Sequence, residues 1–148
     1  MKRKLILLQG IPGSGKTTWA KSWVSEDPSA RIRVSRDDFR EMLGPDDRSD
    51  ARENLITELV DYTLKMGMIS GRNIVVDAMN LNPGYLADFR KLIGTHNSLG
   101  LGPEYEIEYR RFFDTPLDEC IRRDAGRPKP VGESVIRRIY DKYRHIIG

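Results

Sequence analysis

The chain has 148 residues, of which 25 are Lys or Arg and 22 are Asp or Glu, so its formal net charge at pH 7 is +3. This length suits one domain around one core, and the near balance of charges permits a nucleic-acid partner without requiring one. A single cysteine, Cys120, excludes an internal disulfide and favours a reducing, cytoplasmic location. No apolar stretch approaches the roughly 18 residues of a membrane span, so we expect no membrane association.

The first informative segment is an apolar run followed by a glycine-rich turn. Residues 4–9 predict a buried strand, Gly10 to Thr17 fit the pattern G-x-x-x-x-G-K-[ST], and residues 15–25 suit a helix. Such a phosphate-binding loop (P-loop) wraps backbone N–H groups around a polyphosphate at a helix N-terminus. We expect Lys16 to bridge the β- and γ-phosphates of ATP and the Thr17 hydroxyl to hold Mg²⁺. The predicted nucleotide-binding residues are Gly13, Ser14, Gly15, Lys16, Thr17 and Thr18.

An acid and a base follow the predicted second strand, residues 31–34. Asp37 and Arg40 lie three apart and share a face of a helical turn. In open α/β sheets ligands lie beyond the carboxyl ends of the strands, so this pair faces the same crevice as the P-loop. A carboxylate there is able to take a proton from an attacking hydroxyl while the guanidinium binds an anion of the same acceptor. The alternative is a helix N-terminus with acidic capping residues and a solvated arginine.

The middle of the chain predicts a long amphipathic helix and a third strand. The helix covers residues 49–70, with Gly67 and Gly71 near its end. The strand, Asn73 to Asp77, is an apolar β-branched run that ends in an acid and resembles a Walker B element. We expect Asp77 to hold the metal through water or to orient the acceptor; a capping or turn aspartate is the alternative.

A further helix is predicted to start at Asn82-Pro83, since an N-cap residue is followed by proline at the first helical position. We predict a loop through Gly94, Gly100 and Gly102 and then a fourth strand over residues 105–113.

The C-terminal part predicts two helices separated by a basic loop. Thr115 to Asp118 resembles a capping box at a helix start. Two prolines exclude a helix through residues 124–132, so this segment is predicted to be a lid over the P-loop. Arg127, with Arg123 helping, would neutralise charge on a transferred phosphoryl group; a solvated basic loop is the alternative. The last helix begins at about Glu133.

Together these segments resemble the kinase domain of the bacteriophage polynucleotide 5′-kinases. The resemblance implies an α/β P-loop phosphotransferase fold, with a parallel sheet of about four strands in the order 2-3-1-4, flanking helices and an Arg-rich lid. It also implies that Asp37 is the general base towards a 5′-hydroxyl, that Arg40 binds a phosphate of the acceptor and that Arg127 is the lid arginine. It is carried by Gly10 to Thr17, Trp19, Arg36-Asp37-Asp38-Phe39-Arg40, Asn80-Leu81-Asn82-Pro83 and the late arginines.

We therefore predict one kinase domain over residues 1–148, without the phosphatase module whose D-x-D motif the sequence lacks. It would transfer the ATP γ-phosphate to 5′-hydroxyl ends of DNA or RNA in end healing, with Mg²⁺ as cofactor. The predicted catalytic residues are Lys16, Asp37, Arg127 and Arg123; the predicted acceptor-binding residues are Asp37, Arg40, Asp77 and Asn80; Thr17 is the predicted metal ligand.

Two alternatives stay open at this point. A kinase of a small alcohol or nucleoside would keep Asp37 but need Arg40 little. A nucleotide-dependent binding switch would need no base at Asp37. The expected location is the cytoplasm, that of the host if a phage encodes the chain, and a homo-oligomer is compatible with the sequence.

Overall fold

Strands and helices alternate along the chain in a computed structural model, which describes residues 2–45 and 49–147. The elements are β1 Arg3–Gln9, α1 Lys16–Glu26, β2 Arg31–Ser35, α2 Arg36–Met42, α3 Asp50–Ile69, β3 Asn73–Asp77, α4 Pro83–Leu99, β4 Tyr105–Arg111, α5 Leu117–Ala125 and α6 Glu133–Ile147. Among the described residues, no helix is both long and apolar enough to cross a bilayer.

The four strands form one parallel sheet in the order β2-β3-β1-β4, so the predicted fold class and strand order are confirmed. The sheet explains the unbroken apolar run of β1, because a central parallel strand is covered on both faces. Leu5, Ile6, Leu7 and Leu8 are all at most 2% exposed. The parallel register brings Ser35 level with Asp77 at one edge of the sheet.

Helices cover both faces of the sheet and complete three layers. On one face Leu5 and Leu7 pack with Leu64 and Met68 of α3. On the other face Ile6 and Leu8 pack with Ala20 of α1. A third cluster joins the P-loop to α5 and α6 through Ile11, Leu81, Cys120, Ile136 and Tyr143. This cluster packs α5 and α6 against the end of the sheet where the P-loop lies.

Two glycines predicted to end helices lie inside them. Gly67 is buried within α3, where an added Cβ would come within 2.9 Å of the Ile32 and Ile74 side chains, so it allows close packing on the sheet. Gly94 lies within α4, which continues to Leu99 and ends at Gly100, whose φ is 60°. The loop predicted from Gly94 is therefore wrong as far as Leu99.

The predicted capping box at Thr115 is also wrong. Helix α5 starts at Leu117 after Pro116 and has no side-chain cap. The Thr115 hydroxyl instead donates to the Ser14 carbonyl oxygen at 3.2 Å, which ties this turn to the P-loop. Helix α5 runs on through Ala125, so the lid loop begins at Gly126 rather than at Asp124.

Candidate active site

The P-loop packs directly on helix α5. Gly13 and Gly15 have φ angles of 83° and 103°, which side-chain-bearing residues rarely adopt. A Cβ at Gly13 would lie 2.3 Å from the carbonyl oxygen of Cys120, so any side chain there would push α5 away. Gly15 is the N-cap residue of α1, and its conformation turns the chain into the helix that carries Lys16, Thr17 and Thr18.

The Lys16 ammonium lies folded onto the loop. Nζ donates to the carbonyl oxygens of Gly10 at 2.9 Å and Ile11 at 2.7 Å, and to Ser14 Oγ at 3.2 Å. Burial lowers the pKa of Lys16 to about 8; the carboxylates of Asp77 and Asp37 oppose this shift, and Arg127 adds to it. Both acids and the lid arginine therefore act electrostatically on the P-loop lysine.

Thr17 and Asp77 link the P-loop to the end of β3. The Thr17 hydroxyl donates to Asp77 Oδ2 at 2.8 Å. The same carboxylate oxygen accepts from Arg33 of β2, whose Nε and Nη2 both lie at 2.8 Å. The side chain of Asp77 is only 4% exposed, so its charge is compensated by Arg33 rather than by water.

These oxygen atoms fit a magnesium site. Mg²⁺ prefers oxygen ligands and keeps several waters when phosphates supply the rest of its shell. The Thr17 hydroxyl is a direct ligand candidate, and Asp77 is placed to act through water. Among the described residues, no group of three or more His, Cys, Asp or Glu side chains is arranged to hold a metal.

Asp37 and Arg40 lie on α2, immediately after β2, and are brought together as predicted. Arg40 Nη1 donates to Asp37 Oδ1, while Nε and Nη2 donate to Glu53 of α3 at 3.1 and 2.7 Å. The Asp37 side chain is 87% exposed and that of Arg40 only 18%. Arg40 is thus fixed from one side by Glu53, and its Asp37 contact faces solvent.

Asn80 is buried and holds the backbone at the carboxyl end of the sheet. Its Nδ2 donates to the carbonyl oxygens of Leu8 at 2.6 Å, Val76 at 3.1 Å and Ala78 at 3.2 Å. Its own carbonyl oxygen accepts from Gln9 Nε2 at 2.9 Å, and its φ is 49°. These contacts give Asn80 a structural role, and its predicted role towards the substrate stays a prediction.

The two lid arginines differ in position. Arg123 reaches the P-loop, with Nη1 at 3.4 Å from the Gly13 carbonyl oxygen and Nε at 3.0 Å from Glu119. Arg127 has a half-exposed side chain, with Nη1 at 3.8 Å from Asp124 Oδ1. Arg123 is therefore the arginine in direct contact with the loop, and Arg127 stands in the lid beyond it.

Three residues that sequence reasoning missed hold the predicted ones in place. Arg33 contacts Asp77 and Asp38, Glu53 contacts Arg40, and Asp124 accepts from the backbone N–H groups of the lid. Asp124 left no signal, because the two prolines placed it in the predicted loop; only the structure shows it in the last turn of α5, where an acid opposes the helix dipole.

The sequence that forms this site matches a known protein family. Residues 5–146 match the AAA domain family. The chain belongs to this family. The match covers the P-loop, Asp37, Arg40, Asp77 and both lid arginines.

Two relatives of the chain have names or titles that indicate a narrower functional group. A protein of Autographa californica nuclear polyhedrosis virus, named as a bifunctional polynucleotide kinase/RNA ligase, is 27% identical over 157 residues, covering 95% of this chain and 21% of that protein. A chain in a structure of the Pnkp1/Rnl/Hen1 RNA repair complex is 28% identical with a TM-score of 0.78, covering 97% of this chain and 45% of that one. The predicted resemblance to polynucleotide kinases is confirmed. The chain spans less than half the length of these relatives.

The fold is shared more widely. The Mycobacterium tuberculosis APS kinase CysC, solved in complex with AMPPNP and APS, is 24% identical with a TM-score of 0.60, covering 97% of this chain and 75% of that chain. At this identity the likeness concerns the fold alone. The family match and these relatives together place the chain among kinase-type P-loop phosphotransferases.

Proposed function

We propose that this domain is an ATP-dependent polynucleotide kinase that phosphorylates 5′-hydroxyl ends of DNA or RNA. The observation that carries the proposal is the pair Asp37 and Arg40 just after the carboxyl end of β2, with Asp37 exposed and the mostly buried Arg40 held by Glu53. A base and a fixed cation side by side suit an acceptor that carries both a hydroxyl and a phosphate. A small alcohol would need only the first.

In the proposed reaction, some of these residues bind the donor, ATP, and others act on the acceptor. Lys16 and the loop amides hold the polyphosphate of ATP. The 5′ oxygen of the acceptor forms a bond to the γ-phosphorus as the bond to the β–γ bridging oxygen breaks, and ADP leaves. Asp37 receives the proton of the hydroxyl, and Arg123 and Arg127 neutralise charge on the phosphoryl group in transfer.

Thr17 directly and Asp77 through water would hold Mg²⁺, which supplies charge neutralisation at the phosphates when it is bound. Arg40 would bind the phosphate of the acceptor strand next to its 5′ end. Since Glu53 already fixes Arg40, an acceptor phosphate replaces only the solvent-facing contact with Asp37, and that exchange also frees the base.

The relatives support a nucleic-acid acceptor. One is named as a polynucleotide kinase/RNA ligase and another lies in an RNA repair complex. We extend this acceptor class, and a role in nucleic-acid end repair, to the present domain as part of the proposal. A single kinase domain over the chain, with the lid at residues 126–132, belongs to it as well.

The test is transfer of γ-labelled phosphate from ATP to a 5′-hydroxyl oligonucleotide, beside a 5′-phosphate oligonucleotide and free nucleosides. We expect label only on the 5′-hydroxyl strand. Asp37→Ala should lower turnover by about 10²- to 10⁴-fold, as loss of a general base does. Asp38→Ala is the matched control, since Asp38 is the adjacent exposed acid and pairs with Arg33.

Other outcomes would move the function elsewhere. Label on a nucleoside but not on the oligonucleotide would indicate a small-molecule kinase. Release of free phosphate alone would indicate a nucleotide-dependent switch.

A further inference from the structure

A cavity of about 460 Å³ lies between α3 and α4, beside the proposed catalytic residues. Its walls are apolar and include Val60 and Leu64 of α3 and Phe89 and Leu92 of α4. Small-molecule sites in proteins have volumes of about 300–1,000 Å³ and similar apolar walls with a few polar groups. The mechanism above does not use this space.

The cavity reaches the carboxyl ends of the strands that carry the proposed chemistry. Its lining includes Arg36, which precedes Asp37, and Ala78, which follows Asp77. A molecule in the cavity would therefore lie next to the residues proposed to hold the acceptor. This position makes the cavity a continuation of the acceptor site rather than of the nucleotide site at the P-loop.

Asn80 supplies a fixed acceptor in the lining. Its Nδ2 is held by three backbone carbonyl oxygens, and its side chain is over nine-tenths buried. Within the described residues no donor reaches Oδ1. In the described ranges, Arg52 Nε is the only side-chain N or O atom that is fully buried and has no hydrogen-bond partner. Since Oδ1 of Asn80 also has no partner there, it must be accessible to solvent. An oriented, unpartnered acceptor in an apolar cavity suits a ligand that carries an N–H group.

Charge decides which part of a polynucleotide fits. Glu58, Asp61 and Asp88 contribute to the lining, and within the described part of the chain Asp61 alone of the three has a lysine partner, Lys65 at 2.9 Å. Phosphate would be repelled from these carboxylates, whereas Arg36 and Arg40 stand at the catalytic side. A neutral planar group, apolar on its faces and carrying N–H donors at its edge, meets both the walls and Asn80.

We propose that this cavity, referred to below as the α3–α4 cavity, holds the base of the acceptor's 5′-terminal nucleotide. The inference rests on the proposed function and deepens it. The base enters between Val60 and Phe89, the 5′-hydroxyl stays at Asp37, and the strand leaves on the arginine side. The enzyme would then bind the strand end through both the terminal base and the adjacent phosphate.

The experiment compares two 5′-hydroxyl oligonucleotides that differ only in whether the terminal nucleotide carries adenine or is abasic. The wild type should use the abasic strand with a kcat/KM lower by roughly 10- to 100-fold, since holding a base on apolar and aromatic side chains is worth that much. Val60→Phe, which fills the cavity from α3, should lower kcat/KM on the adenine strand to the abasic level. It should leave the abasic strand unaffected.

Leu55→Phe is the matched control, because Leu55 lies on the same helix, is 42% exposed and does not line the cavity. It should leave both strands unchanged. Equal kcat/KM of the wild type on the two strands would overturn the assignment while leaving the kinase activity established, and so would an equal loss on both strands in Val60→Phe. Absence of transfer to either strand would instead overturn the proposed function, and this assignment with it.

Discussion

Glu53 holds Arg40 through two parallel hydrogen bonds, with Oε2 at 3.1 Å from Nε and Oε1 at 2.7 Å from Nη2. Such bidentate pairs fix the plane of a guanidinium as well as its position. The hydrogen bond to Glu53 is the largest of the effects that raise the pKa of Arg40. Glu53 thereby fixes the guanidinium of Arg40 beside Asp37, as the proposed binding of an acceptor phosphate requires.

Glu53→Gln should raise the KM for a 5′-hydroxyl oligonucleotide by about 10-fold, because an amide keeps the shape but weakens a charge-assisted pair. The KM for ATP should not change, since the described side-chain contacts of Glu53 are with Arg36 and Arg40. Steady-state kinetics with each substrate varied in turn would measure both values. Glu41→Gln, at an exposed acid on α2, is the control. An equal rise in both KM values would contradict a role through Arg40.

We expect the buried ammonium of Lys16 to make ATP binding depend on pH. Its pKa, lowered by burial to about 8, means that the cation is lost from the folded protein as pH rises through 8, well below the ordinary value of 10.5. Phosphate binds the protonated form and raises its pKa. The Kd for ATP should therefore increase by about tenfold from pH 7 to pH 9.

Calorimetry in buffers of different ionisation heat would test this dependence and should show proton uptake on ATP binding above pH 8. Lys16→Arg keeps its charge across this range and should bind with no such pH dependence, even if more weakly. A Kd for the wild-type protein that stayed constant from pH 7 to pH 9 would show that Lys16 does not titrate there.

We expect Asp77 to stabilise the folded protein as well as to help bind the metal. Its side chain is 4% exposed and that of Arg33 14%. In Asp77→Ala, the one acid among the described residues that would still pair with Arg33 is Asp38. We expect the free energy of unfolding to fall by about 3 kcal/mol, as when one member of a buried pair is removed. Asp38→Ala, at the exposed side of the same arginine, should cost less than about 1 kcal/mol.

Urea denaturation would measure both variants of this pair. The Mg²⁺ concentration for half-maximal transfer should also rise in Asp77→Ala, because the partner of Thr17 is lost. Equal destabilisation by the two substitutions would mean that the buried Asp77 contributes no more to the stability of this cluster than the exposed Asp38.

Helix α4 shows where sequence reasoning about the fold stops. Its start was predictable, because Asn82 caps the N–H groups of Gly84 and Tyr85. Its continuation past Gly94 was not predictable, because glycine destabilises a helix by about 1 kcal/mol and therefore favours a predicted helix end. The helix persists because Asn97 in its last turn exchanges two hydrogen bonds of 2.9 Å with the backbone of Tyr105 at the start of β4. Such a long-range contact leaves no periodic pattern in one sequence.

The candidate site divides in the same way. Residues carried by contiguous motifs, such as Lys16 and Asp37, were predictable because backbone geometry and chemistry require them at fixed spacing. Their partners come from other elements and obey no spacing rule. Glu53 also gave no signal, since an acid in the first turn of a helix is common for electrostatic reasons alone. Only the tertiary structure joins it to Arg40.

Asp124 is expected to position Arg127 by closing the lid loop. Its carboxylate, 1% exposed, accepts from the backbone N–H groups of Val131 at 3.0 Å and Gly132 at 2.9 Å. Asp124→Ala should lower kcat at saturating ATP and oligonucleotide by about 10- to 100-fold, because displacement of a catalytic group by about 1 Å is that costly. Asp124→Asn, which keeps one acceptor oxygen, should recover part of the loss.

A double-mutant cycle separates this positioning role from general loss of stability. If Asp124 acts through Arg127, then Asp124→Ala should reduce kcat little further in an Arg127→Ala background. Asp118→Ala, in the first turn of the same helix and 92% exposed, should leave kcat and the melting temperature unchanged. Independent, multiplicative losses from Asp124→Ala and Arg127→Ala would show that the carboxylate only stabilises the fold, and that Arg127 reaches its place without the closed loop.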